Sequence, residues 1–240
     1  MMSKAAPDYG RLREEMVEFQ IAGRDIDDPL VLDAMRTVPR HEFVDERYRD
    51  LAYADMPLPI GEGQTISQPY MVAYMTQALA LKGGERVLEI GAGCGYAAAV
   101  LGAIAAEVYT VERLHGLVET ARKTLERLGY DNVHVIEADG TKGWPEAVPY
   151  DGVSVTASGP RVPDALKDQL KVGGRLVIPV ERPGGMQQLV RVTRTAEDRF
   201  EEEDLFWVAF VPLIGAEGWS GNGDGPTHDP ALTLMPFDEP

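Results

Sequence analysis

The stretch Arg86-Val87-Leu88-Glu89-Ile90-Gly91-Ala92-Gly93-Cys94-Gly95-Tyr96 decides the fold of this chain. Val87, Leu88 and Ile90 make a short apolar run of the length a buried strand needs. Glycines alternate at 91, 93 and 95, and the alanine-rich segment 97–106 then reads as a helix. Strand, glycine turn and helix, in that order, form the setting in which a loop binds a nucleotide. Glycine lets the backbone turn sharply and lets a ligand approach where a Cβ would stand. The helix behind the loop offers N–H groups in its first turn.

The glycine spacing narrows the reading. A dinucleotide fingerprint places its third glycine three residues after the second, but that position is Tyr96 and Gly95 comes one residue early. The Gly-x-Gly-x-Gly form is closer to the loop that S-adenosyl-L-methionine (SAM) methyltransferases wrap around their cofactor. Glu107-Val108-Tyr109-Thr110-Val111-Glu112 follows as a second strand ending in an acid. Glu112 stands 21 residues after Gly91, close to the spacing of a carboxylate that accepts hydrogen bonds from ribose hydroxyls.

With 240 residues, 44% of them hydrophobic, the chain can bury a full core. No apolar run reaches membrane-helix length, and Met1–Pro7 lacks the apolar centre of a signal peptide. A cytoplasmic protein is expected. A net charge of −16 argues against nucleic-acid backbones and anionic membrane surfaces as partners, because both call for a basic face. The one cysteine, Cys94, excludes an intrachain disulfide and a cysteine-rich metal site; it reads as a small loop residue. His41, His115, His134 and His228 are scattered without ligand spacing, so no metal is expected.

Outward from the centre, 8–23 reads as a helix with Leu12, Met16 and Phe19 at helical spacing, and 30–37 as a second helix entered through Asp28-Pro29. Pro57-Leu58-Pro59-Ile60-Gly61-Glu62-Gly63-Gln64 reads as irregular from its Pro and Gly density. Gln64, Thr65, Ser67 and Gln68 then precede a helix at 70–81, which Ser67 or Gln68 could cap. Downstream come a helix at 114–128, a strand at 133–137 closed by Asp139-Gly140, a strand at 150–156, a helix at 162–170 and a strand at 173–180. Two further strands, 187–193 and 204–212, have no helix between them and predict an antiparallel edge on a parallel sheet. An acid and a glycine beyond a strand's carboxyl end suit the crevice where open α/β sheets bind ligands. The Asp139 carboxylate and a backbone N–H there could meet an adenine. The polar segment 220–240 predicts a disordered tail, or one docked through Leu234 and Phe237.

Several blocks, in order, resemble the protein-L-isoaspartate O-methyltransferase family: Gly63-Gln64-Thr65-Ile66-Ser67-Gln68-Pro69-Tyr70-Met71-Val72-Ala73-Tyr74-Met75, the glycine loop 87–96, Asp139-Gly140, Gly143-Trp144-Pro145, Pro149-Tyr150-Asp151, 170–180 and Phe210-Val211-Pro212-Leu213. The likeness runs from about Glu14 to Trp219. It departs at Ala209, where the family frequently has Arg. The resemblance implies a Rossmann-like SAM-dependent methyltransferase fold of class α/β: a mostly parallel sheet with helices on both faces. It divides 1–219 into an N-terminal helical cap and substrate loop (1–82), a SAM-binding core (83–180) and antiparallel edge strands (181–219).

It further implies methyl transfer from SAM to the free carboxylate of L-isoaspartyl residues in damaged proteins and peptides, by a monomer. Ser67 would be the catalytic hydroxyl; Glu89, Gly91, Ala92, Gly93, Glu112, Asp139 and Gly140 would hold SAM, with Glu89 at its methionine end. Gln64, Thr65, Ile66 and Val211 would meet the substrate, Val211 through its backbone. Two rivals share this core: a methyltransferase for ordinary aspartate in a dedicated peptide, and a SAM-binding adaptor without turnover.

Overall fold

The computed structural model describes residues 7–221, so the expected tail beyond 221, with Leu234 and Phe237, and His228 lie outside the described residues. The chain opens with α1 (Tyr9–Glu15), capped by the Asp8 side chain, and continues as a π-helical segment, Met16–Ala22. The wider winding brings Met16, Val17 and Ile21 into the core and turns Phe19 out to 67% exposure, against the core place its spacing suggests. Helix α2 (Pro29–Thr37) starts on the Asp28 cap as expected.

The Pro- and Gly-rich stretch is a hairpin rather than irregular chain: β1 (Leu58–Gly61) pairs antiparallel with β2 (Gln64–Ile66). A two-stranded ribbon tolerates Pro59 because it has no third strand to serve. Then follow α3 (Pro69–Leu79), β3 (Arg86–Ile90), α4 (Tyr96–Gly102), β4 (Glu107–Glu112), α5 (His115–Leu128), β5 (Val133–Glu137), β6 (Tyr150–Val155), α6 (Asp164–Asp168), β7 (Leu170–Glu181), β8 (Gln187–Ala196) and β9 (Arg199–Val208). Helix α4 is shorter than its alanine run, because the Asn132 amide takes up the carbonyls of Gly102 and Ala105. Helix α6 stops early because Leu170 already pairs with Tyr150.

The main sheet runs β5-β4-β3-β6-β7-β8-β9. The strands from β5 to β7 are parallel to their neighbours; β8 is antiparallel to both β7 and β9. The expected edge is present, with its last strand starting earlier in the sequence: exposed Glu201, Glu202, Glu203 and Asp204 lie in β9. Alternation sends Val87 into one apolar layer, with α2, α3, α4 and the Ala121–Leu125 side of α5, and Leu88 and Ile90 into the other, with Leu166 of α6. The chain crosses from one side of β3 to the other between β5 and β6. That reversal opens a crevice at the strands' carboxyl ends.

Candidate active site

A cleft occupies that crevice. Its floor is Ile90-Gly91-Ala92-Gly93 at the end of β3, Val111-Glu112 at the end of β4, Gly140 after β5 and Thr156-Ala157 after β6. The β2 segment and the loop after it, Gln64 to Ser67, close one side, and Val211 to Ile214 the other.

The floor is held by the sheet itself. The N–H groups of Gly91 and Ala92 both donate to Val111 O, at 2.8 and 3.3 Å, and Gly93 N–H donates to Glu112 Oε2 at 3.0 Å. The loop thus offers a ligand Cβ-free surface more than free donors. At Gly91, where φ is +95°, a Cβ would stand 2.4 Å from Thr156 Oγ1. That hydroxyl lies 3.0 Å from Ile90 O and 2.8 Å from Gly91 O, and can donate to either. At Gly140 a Cβ would reach within 2.5 Å of the Ile90 side chain.

Glu112 is 7% exposed and lines the cleft, with Oε1 accepting from the N–H groups of Arg113 and Leu114 at 2.8 and 3.0 Å. Three backbone donors hold this carboxylate in place. Oε2, with one donor, keeps capacity for a further hydrogen bond, as a ribose partner would need.

Two residues that the sequence reading placed on the cofactor stand elsewhere. Glu89 is fully buried beneath the loop and does not line the cleft. Its register partner Thr110 donates to Oε2 at 2.5 Å, and Oε1 has no partner among the described residues. Burial pushes this carboxyl up to about 8; Thr110 opposes the shift and the Glu112 charge adds to it. Asp139 also stays out of the cleft wall, its carboxylate turned to Thr141 and Ala216.

The segment before α3 explains itself through Asp55. Neither Ser67 nor Gln68 caps the helix with its side chain. Asp55 does so from a distance: Oδ1 accepts from Tyr70 N–H at 3.3 Å, and Oδ2 from Gln68 Nε2 at 2.8 Å and Arg24 at 3.3 Å. Half-buried Ser67 and Thr65 line the cleft with hydroxyls that bond to nothing else among the described residues. The Gln64 side chain donates back to Glu62 O, and Ile66 is buried.

Val211, which also lines the cleft, accepts from Ser158 N–H at 2.8 Å through its carbonyl. Ala209 leaves no gap in anchoring, because Gln187 grips both the N–H and the carbonyl of Phe210, at 2.6 and 3.0 Å. Cys94 is buried, and burial pushes its thiol up to about 11, so it is no nucleophile at neutral pH. His41 stacks on Tyr9 at 4.0 Å, and His115 pairs with Glu137 at 2.8 Å. Neither lines the cleft.

A family model described as protein-L-isoaspartate(D-aspartate) O-methyltransferase matches residues 11–218. The chain belongs to this family. It is 55% identical over 233 residues to protein-L-isoaspartate O-methyltransferase 1 of Rhodopseudomonas palustris (strain HaA2), covering 97% of this chain and 95% of that one. It is 60% identical to protein-L-isoaspartate O-methyltransferase 2 of Pelobacter propionicus, over 86% of this chain and 92% of the relative. A Plasmodium falciparum structure assigned to the same family, in complex with S-adenosyl-L-homocysteine, superposes with a TM-score of 0.74 at 28% identity. It covers 84% of this chain and 98% of that one.

In this member of the protein-L-isoaspartate O-methyltransferase family, sequence reasoning missed Thr156, Thr141 and Asp55. Thr156 acts on a loop 65 residues away, and no local pattern marks it. Asp55 left a trace: a helix starting at Pro69 with no side-chain cap of its own needs one from elsewhere.

Proposed function

We propose that this chain transfers a methyl group from S-adenosyl-L-methionine to the free carboxylate of L-isoaspartyl residues in damaged proteins and peptides. The resulting methyl ester collapses to a succinimide, which hydrolyses in part to normal aspartate. The carrying observation is that Ser67, whose hydroxyl bonds to nothing else among the described residues, lines the same cleft as Gly91, Gly93 and Glu112.

The cleft fits the cofactor: two glycine positions leave no room for a Cβ, and a carboxylate is fixed beside them. SAM supplies an electrophilic methyl on a sulfonium. Glu112 would hold the ribose hydroxyls, Gly140 would leave space for the base, and Gly91, Ala92 and Gly93 would form the floor. The acceptor carboxylate is already ionised at neutral pH, since its pKa lies near about 4, so no general base is required. What the residues must supply is alignment and exclusion of water, and alignment alone can contribute roughly 7 kcal/mol. The Ser67 hydroxyl donates to one acceptor oxygen and aims the other. It brings no charge to compete with the sulfonium. Thr65, Gln64 and Ile66 shape the pocket beside it, and the Val211 N–H takes a peptide carbonyl. The unit that does this spans 1–219, a monomer placed in the cytoplasm.

The test is methyl transfer from labelled SAM to an isoaspartyl peptide and its aspartyl control. Transfer to the isoaspartyl peptide alone is expected; transfer to the aspartyl peptide alone overturns the reading. Ser67→Ala should lower kcat roughly tenfold to a hundredfold, the loss of one hydrogen bond to a charged group. Calorimetry should find S-adenosyl-L-homocysteine affinity nearly unchanged.

A further inference from the structure

Arg40 is fully buried, and its contacts go to backbone carbonyls and a ring rather than to a carboxylate. Nε donates to Ala52 O at 2.8 Å and Nη2, more loosely, to Met56 O at 3.4 Å, while Nη1 has no partner among the described residues. The guanidinium lies over the Tyr96 ring, with Cζ 4.7 Å from the ring centroid. Tyr96 opens α4 directly after Gly95 and lines the cleft, and Phe43 packs edge-on against it at 5.6 Å. The segment that Arg40 grips, 52–56, does not line the cleft. It leads into the β1–β2 ribbon, where a Cβ on Gly93 would stand 3.2 Å from Ile60 Cδ1. It also carries Asp55, which accepts from Gln68 Nε2 at 2.8 Å and from Tyr70 N–H at 3.3 Å. Ser67 stands between these two supports. A buried charge costs stability unless its surroundings compensate it, and an apolar side chain would fill this space without that cost. What a guanidinium adds is a rigid fork with donors for two carbonyls and a flat face for Tyr96.

We propose that Arg40 is a positioning residue for methyl transfer: it ties the 52–56 segment, and through it both ends of the Ser67 loop, to the back of the glycine loop, and so sets the distance between acceptor and methyl donor. This rests on the methyl-transfer reading above, with Ser67 as the aligning hydroxyl. On the acceptor side the tie runs through Met56 to β1 and β2, and through Asp55 to Gln68. On the donor side it runs through Tyr96 to Gly95 and the loop before it. In-line transfer depends steeply on placement, and a shift of about 1 Å can cost roughly a hundredfold in rate. Weakening the tie therefore lowers kcat while each ligand keeps its own contacts.

The experiment is a double-variant cycle. Arg40→Lys keeps the charge and loses the fork and the flat face. On the isoaspartyl peptide it should lower kcat roughly tenfold, with the peptide KM and the S-adenosyl-L-homocysteine Kd within about twofold of wild type. In the Ser67→Ala background there is no hydroxyl left to place, and the further loss from Arg40→Lys should shrink to less than about twofold. A residue that only stabilises the fold would cost the same factor in both backgrounds, so equal losses would overturn the assignment, as would an unchanged kcat in Arg40→Lys. Hydrogen exchange on the wild type needs no variant. S-adenosyl-L-homocysteine should slow exchange at 52–56, away from the cleft, together with 91–96, and no slowing at 52–56 would also overturn the assignment. That measurement decides the matter if Arg40→Lys does not fold. Should wild type fail to methylate the isoaspartyl peptide, the functional reading falls, and the exchange pattern still decides whether the tie exists.

Discussion

Replacing Glu89 by glutamine should flatten part of the pH dependence of folding stability near neutrality. Glu89 is fully buried, with one oxygen paired to Thr110 at 2.5 Å and the other unpaired. Burial raises its pKa from the ordinary 4.5 to about 8. The sign follows from proton binding. The folded chain holds this proton more tightly than the unfolded chain. The stability it lends is complete below about pH 4.5 and is lost as pH rises through about 8. Each pKa unit corresponds to about 1.4 kcal/mol, so between about pH 5 and pH 8 the wild type should lose on the order of 3 kcal/mol through this one group. The glutamine side chain of the Glu89→Gln variant has no such proton to lose and can still accept from Thr110.

The assay is urea unfolding of both proteins at several values across that range. All other titrating groups are shared, so the difference between the two stability curves isolates Glu89. The variant should gain on the wild type by on the order of 3 kcal/mol from the acid to the alkaline end. Parallel curves would refute the reasoning, because they would mean that Glu89 is ionised in the fold throughout, despite its burial.

Glu112→Ala strips the partners from the N–H groups of Gly93, Arg113 and Leu114 and should weaken S-adenosyl-L-homocysteine binding by about 1–3 kcal/mol in calorimetry. Unchanged affinity would remove Glu112 from the cofactor site. Gly91→Ala puts a Cβ 2.4 Å from Thr156 Oγ1 at a φ of +95°; thermal unfolding should show a loss of at least about 1 kcal/mol. The double variant with Thr156→Ala should recover part of it, and no recovery would mean that the strain lies in the backbone alone.

Much of the central fold was legible because its signals are local. The run Val87–Ile90, the alternating glycines and an acid at 112 each announce themselves within a few residues, and β3, α4 and β4 follow. The hairpin at 58–66 was hidden by the residues that build it. Pro59 and Gly61 argue against a strand in a broad sheet and are at home in an isolated ribbon. The start of β9 was hidden because Glu201 to Asp204 look like a solvated loop, while on a sheet edge such charges guard exposed backbone against further pairing. In the site, the cleft gathers Gln64 to Ser67, the glycine loop, Glu112, Gly140 and Val211. Glu89 lies beneath the cleft because strand alternation, not proximity to the loop, decides which way it faces. Asp139 turns its carboxylate from the cleft toward Thr141 and toward Ala216, 77 residues downstream, a partner no local pattern marks.

The arrangement around Asp55 has an evolutionary corollary. Since the start of α3 draws its cap from a loop that precedes it by 15 residues, the helix is indifferent to what occupies position 67. Drift at that position therefore leaves the helix cap intact. A set of replacements there would trace acceptor preference against a constant scaffold.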